Sequence, residues 1–252
     1  MKILLLILVL FINSSFIFSE EPIALITKLR GNTKYKISLE NKFRSKAKVN
    51  TPIFQGNRIK TNAKSFAKIV YLDDRSTVSV YPRTEITING RIEHRIINKQ
   101  IDIISGIVRI RVFKQIAHEF KLITPHSELI CHACDFFVIS DEKTGDRFYK
   151  LSGKALIINS SMIDTLELVE NSTIISIQDT KMEIIETPVS DRKYLELLMI
   201  DADEIPNKSN EELAMRRKIT GGPIIESTSN VVEIKLKNSL NIERKIILTY
   251  TK

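Results

Sequence analysis

The 252-residue chain has no tryptophan and few histidines (4), prolines (7) and glycines (8). With 43% apolar and 27% charged residues, this scarcity excludes a low-complexity or disordered chain and leaves enough material for a sizeable core. The missing tryptophan removes the best stacking platform for a carbohydrate. Tyr35, Tyr71, Tyr81 and Phe113 are the remaining aromatic candidates, and each also fits core packing. No Gly-x-Ser-x-Gly elbow, phosphate-cradling glycine loop or His-Glu-x-x-His pair occurs. No nucleophile beside an activating base is apparent, so no catalytic residue, cofactor or metal is assigned and the chain is not expected to be an enzyme.

Long hydrophobic runs are also lacking, with one exception at the N-terminus. Lys2 precedes an unbroken apolar run from Ile3 to Ile12, about half the ~20 residues that span a bilayer. Asn13, Ser14 and Ser15 follow, then Ser19 and the acidic pair Glu20-Glu21. This is the pattern of an export signal, residues 1–19, cleaved after Ser19. No cysteine stands near that point, which argues against lipid attachment. The mature chain is expected to be periplasmic or otherwise exported, with no transmembrane span. The alternative is a retained segment anchoring a signalling component in the membrane. Cleavage removes one cation and no acid, so the formal charge of +8 falls by one. Such a surface favours acidic partners, and export makes nucleic acid the least expected of them.

From Ala24 to about Ile177 apolar residues alternate with polar ones. Val78, Val80, Pro82, Thr84, Ile86 and Ile88 form one same-parity row, and Ile107 to Val112 and Lys154 to Ile158 are also strand-like. Turn signals recur at Gln55-Gly56-Asn57, Asp73-Asp74-Arg75, Asn89-Gly90, Ser105-Gly106, Thr144-Gly145-Asp146 and Ser152-Gly153. Asn89-Gly90 suits a type I′ hairpin. Many short strands with regular turns imply an all-β sandwich or solenoid-like domain over residues 24–180. Residues 188–252 read as an extension. Ser190 is placed to cap a helix over Asp191 to Ile200, Asn210 a second over Glu211 to Ile219, and Val231 to Lys237 with Glu243 to Thr251 form a terminal hairpin.

Four blocks carry a family likeness: Gln55-Gly56-Asn57-Arg58-Ile59-Lys60-Thr61, then Leu72 to Ile86 with its Asp-x-Ser turn, then Ile103-Ile104-Ser105-Gly106-Ile107-Val108, then Phe120-Lys121-Leu122-Ile123-Thr124-Pro125. Cys131 to Val138 follows at the spacing of a fifth element. In order and spacing these resemble the FecR domain. The resemblance implies a β-rich extracytoplasmic module that contacts other proteins or envelope polymers. Two family glycines are replaced, by Arg75 and by Ala133, which implies altered turns. The best-known family members regulate sigma factors through a cytoplasmic segment and a membrane helix ahead of this domain. Here the domain is expected to start almost directly after the signal, so that role is not carried over.

The candidate contact residues are basic. Between Lys28 and Lys68 stand twelve lysines and arginines against Glu40 alone. Lys34, Lys36, Lys42, Arg44, Lys46 and Lys48 are the candidate binding residues, because alternate positions on a strand share a face. A solvated outer face that blunts strand edges would look the same. Arg109 and Arg111 make a second same-face pair. Cys131 and Cys134 form a Cys-x-x-Cys. On one strand they would point to opposite faces, which disfavours a bridge unless a turn intervenes, so free thiols and a disulfide both stay open. The expected partner is another envelope protein or an anionic envelope polymer.

Overall fold

A computed structural model describes residues 20–43, 45–115, 118–159, 161 and 164–203, together with the backbone of 224–228, 231–237 and 243–249. The expected signal segment, the second expected helix and Arg44 lie outside the described residues.

The chain is all-β apart from one described helix. Seventeen strands form one hydrogen-bonded system that divides into two sheets. Sheet A runs in the order β4 (Pro52–Ile53), β1 (Ala24–Arg30), β6 (Phe66–Tyr71), β7 (Thr77–Val80), the second half of β9 (Ile96–Val112), β12 (Cys134–Asp141), β13 (Gly145–Gly153), β16 (Ser172–Ser176) and β17 (Glu183–Glu186). Sheet B runs β3 (Ser45–Lys46), β2 (Thr33–Lys36), β5 (Asn57–Thr61), β8 (Glu85–Glu93), the first half of β9, β10 (Phe120–Ile123), β11 (Ser127–Cys131), β14 (Leu156–Asn159) and β15 (Asp164–Glu167). Every pairing is antiparallel except β9 with β10. Apart from β4 and β3, strand order follows chain order within each sheet. The chain therefore advances along one axis, as in a solenoid, while its sheets face each other across a core, as in a sandwich.

Alternation builds that core. Ile69, Val78, Val108, Ile110, Phe136, Val138 and Phe148 from sheet A meet Ile59, Ile86, Ile88, Ile101, Leu122, Leu129 and Ile157 from sheet B in one buried cluster. The same-parity row from Val78 to Ile88 is not one strand. Its first half belongs to β7 in sheet A and its second to β8 in sheet B, with a turn at Pro82-Arg83 between them. Both halves point inward because they enter the core from opposite sides.

Two expected turns are strand interior instead. Asn89 and Gly90 continue β8, opposite Gln100 and Lys99, and the two-residue turn lies at His94-Arg95, with φ of 50° and 68°. Gly90 is small for a packing reason: a Cβ there would lie 2.8 Å from Ile97 Cγ2. Gly106 sits within β9, where the strand passes from sheet B to sheet A, at φ 113° with Thr84 against its Cα. A glycine inside a long strand marks such a bend, because no other residue tolerates both the φ and the approach. The Asp-x-Ser turn keeps a left-handed residue although glycine is absent, since Arg75 adopts φ 69°.

Helix α1 (Val189–Asp203) lies on the outer face of sheet A. Leu195 and Ala202 bury against Phe66, Tyr81, Phe137 and Tyr149 in a second apolar cluster. Tyr149 donates to Asp191 at 2.9 Å, and Arg30 forks onto Asp201. Ser190 is not the cap: it lies inside the helix, and the Pro188 carbonyl accepts the first helical bond, from Arg192 N at 3.1 Å. Separately, β18 (Ile224–Thr228), β19 (Val231–Lys237) and β20 (Glu243–Thr249) form a three-stranded antiparallel sheet, which adds a strand to the expected hairpin.

Candidate functional site

The basic residues of the N-terminal stretch converge on the outer face of sheet B. Lys34 on β2 stands directly opposite Lys46 on β3 and, on its other side, opposite Lys60 on β5. Lys36 stands opposite Arg58 in the next row. Ile59 between Arg58 and Lys60 points to the core, so the pleat itself sends the charges outward. Phe43 lies among them, its ring centroid 5.6 Å from Lys36 Nζ and 5.9 Å from Lys60 Nζ. Glu85 on β8 neutralises one end, accepting from Lys60 at 2.9 Å and from Arg58. Lys36 donates to the Glu40 carbonyl at 3.0 Å. Lys42 and Lys48 are exposed outside the strands, and Arg44 is outside the described residues. Three of the six candidates, Lys34, Lys36 and Lys46, therefore share a face, and Arg58 and Lys60 complete it.

A second basic group lies on the outer face of sheet A, beneath the end of α1. Lys68 on β6, Ser79 on β7 and Arg109 on β9 occupy one cross-strand row, and Thr77 and Arg111 occupy the next. Lys28 on β1 stands opposite Lys68 and reaches the Ala202 and Asp203 carbonyls at 3.4 and 3.5 Å. It thereby meets the negative end of the helix. Asp135 on β12 accepts from Arg109 Nε at 2.9 Å and Nη2 at 2.8 Å, and from Arg111 Nε at 2.8 Å. Lys68, Ser79, Arg109, Thr77 and Arg111 line a cavity of about 100 Å³, together with Tyr81 and Asp203. Burial lowers the Lys68 pKa from the ordinary lysine value; Lys28, Arg111 and Arg109 push the same way and Asp203 opposes them. Burial pushes the Tyr81 hydroxyl far up, so it stays protonated and able to donate.

This second site was only partly legible. The Arg109-Arg111 pair is visible as same-face spacing. Its meeting with Lys28, Lys68 and Tyr81 requires the strand order β1, β6, β7, β9, which local pattern does not carry.

The cysteines do not share a strand. Cys131 closes β11 and Cys134 opens β12, with His132 and Ala133 turning between them, and the two sulfurs are bonded with Cα atoms 6.3 Å apart. The turn removes the opposite-face problem that one continuous strand would have posed. The histidines are dispersed. His118 lies 3.5 Å from Glu93, His132 lies 3.3 Å from Glu119, and buried His126 lies 3.3 Å from the Asp141 carbonyl. Among the described residues no group of three or more His, Cys, Asp or Glu is placed to hold a metal ion.

The architecture is that of an all-β, two-sheet protein with a helix across one sheet. No family model matches the chain, and no curated protein matches it. Two crystal structures of a candidate anti-sigma factor from Parabacteroides distasonis, at 2.50 and 1.65 Å resolution, are similar to it. They have 12% and 14% identity and TM-scores of 0.46 and 0.44. Each comparison covers 77% of this chain and 99% of the other.

Proposed function

We propose that the chain is a non-catalytic, exported FecR-like module that docks an anionic envelope macromolecule through the outer face of sheet B. The carrying observation is the row Lys46, Lys34, Lys60. Like charges directly opposite on neighbouring strands destabilise a sheet, by roughly 0.2–1 kcal/mol per pair. Lys34 bears that cost on both sides, and Glu85 relieves only the Lys60 end. An anionic polymer or an acidic protein surface laid across the row would relieve the repulsion. Phe43 within the patch gives such a partner an apolar contact beside the charges.

The test is binding of the mature chain to anionic and neutral vesicles, to polyglutamate and to polyphosphate, with crosslinking in intact cells. Binding should be salt-sensitive and should weaken at least tenfold in the Lys34→Gln/Lys46→Gln double variant. Equal binding by the double variant would remove this face as the site. N-terminal sequencing addresses export in the same preparation. A mature start at Glu20 supports the exported scaffold, whereas an intact Met1 with a membrane-embedded crosslink partner makes the chain an anchored signalling component.

A further inference from the structure

A second cavity, distinct from the sheet B face, lies beneath the end of α1. Its floor is the row Lys68, Ser79, Arg109. Tyr81 stands at one side, Arg111 and Thr77 at the other, and the last turn of α1 roofs it. Lys28 answers the negative end of α1, and the three other cations, Lys68, Arg109 and Arg111, face two carboxylates, Asp135 and Asp203, leaving one formal positive charge in excess.

Several donors there are unspent. The Tyr81 side chain is 1% exposed, lines the cavity and has a hydroxyl with no hydrogen-bond partner among the described residues. Its ring is held by Phe66 at 5.4 Å, edge to face, and by Phe137 at 5.7 Å. The hydroxyl therefore has a set position, and a buried hydroxyl is rarely left unpaired. Among the described residues the Lys68 ammonium makes no ion pair or hydrogen bond, and Lys28, Arg111, Arg109 and Asp203 act on it only as nearby charges. Asp135 engages Arg109 through Nε and Nη2 and Arg111 through Nε, so each guanidinium keeps N–H groups in reserve.

We propose that this cavity binds one small tetrahedral oxyanion of the phosphate type, held by the Tyr81 hydroxyl, the Lys68 ammonium and the spare N–H groups of Arg109 and Arg111. The cavity of about 100 Å³ is large enough for a single oxyanion group. Donors rise from β6, from β9 and from Tyr81 just after β7 rather than from one plane, which matches a tetrahedral anion better than a flat carboxylate. Lys28 is already committed to the helix carbonyls and contributes field rather than a contact.

The experiment is calorimetric titration of the full mature chain with inorganic phosphate at constant ionic strength, with acetate and chloride in parallel. Saturable phosphate binding is expected. Tyr81→Phe keeps the ring packing and should weaken binding by about tenfold, the loss of one charge-assisted hydrogen bond. Asp203→Asn removes a like charge from the wall and should tighten binding several-fold, an effect that a damaged fold would not produce. Lys143→Gln, in the exposed turn after β12, should leave affinity unchanged. The proposal is overturned by absence of saturation, by unchanged affinity in Tyr81→Phe with a native circular dichroism spectrum, or by acetate binding as well as phosphate.

Discussion

The Lys99 ammonium lies 2.6 Å from the Asp73 carboxylate, with the Lys99 side chain wholly buried and that of Asp73 8% exposed. Asp74 is 3.2 Å away, and Gln115 Oε1 and the Ile97 carbonyl complete the shell at 3.0 and 3.1 Å. Tyr71 covers one side, its ring centroid 5.5 Å from Nζ. The network pins the Leu72–Ser76 turn to the start of β9.

Removing one member of such a network leaves charge buried without compensation. Lys99→Met is expected to cost about 3–5 kcal/mol, because Asp73 and Asp74 then repel each other away from water. Urea unfolding measures it. Lys34→Gln, which relieves repulsion on the surface, should be neutral or slightly stabilising in the same assay. Similar losses for the two variants would contradict the assignment of Lys99 as a structural charge.

Arg75 and Gly106 both have positive φ but predict opposite outcomes. Arg75 is exposed at φ 69°, so Arg75→Gly should stabilise by about 0.5–1 kcal/mol. Gly106→Ala places a Cβ 2.5 Å from Thr84 Cα at φ 113°. A loss above about 2 kcal/mol is expected, as the bend between the sheets cannot relax. Thermal unfolding of the pair is the check.

Asp146 is fully buried and accepts from Thr124 Oγ1 at 2.5 Å and Ser140 Oγ at 2.6 Å. Burial raises its pKa above the ordinary carboxylate value, against the opposing pull of those hydrogen bonds and of His126. The folded state therefore holds this proton more tightly than the unfolded state. Its contribution to stability is full below the unfolded pKa, about 3.9, and is lost as pH rises through the folded value. In unfolding measurements across that window, Asp146→Asn should show a shallower fall of stability with rising pH than the native chain. Parallel profiles would rule out Asp146 as the source.

The Cys131–Cys134 bond closes a short loop between β11 and β12. Chain entropy for a loop of this length gives a stabilisation of about 2 kcal/mol. A reducing agent should lower the unfolding midpoint of the native chain and leave that of Cys131→Ser/Cys134→Ser unchanged. Equal sensitivity of both proteins would show that the bond carries no stability.

Local pattern was sufficient for the strand content, since side chains alternate along a strand wherever it lies. It also placed Arg75 in a turn and Lys34 with Lys36 as neighbours on one face. It misread Asn89-Gly90 and Ser105-Gly106 as turns. Both carry residues common in turns, yet each residue pairs with a neighbouring strand, Asn89 and Gly90 with Gln100 and Lys99, Ser105 with Glu85 and Gly106 with Ser140, and pairing is not a local property.

By itself, then, the sequence determined an all-β chain with an apolar core and an outward-facing cationic stretch, because each of these follows from period and composition. Tertiary structure alone decided that Val78 and Ile86 enter one core from opposite sheets. It also decided that a turn lets Cys131 reach Cys134, and that Lys28, Lys68, Tyr81 and Arg109 meet beneath one helix. Those residues come together through strand order and the packing of α1, and both depend on contacts between positions far apart in the chain.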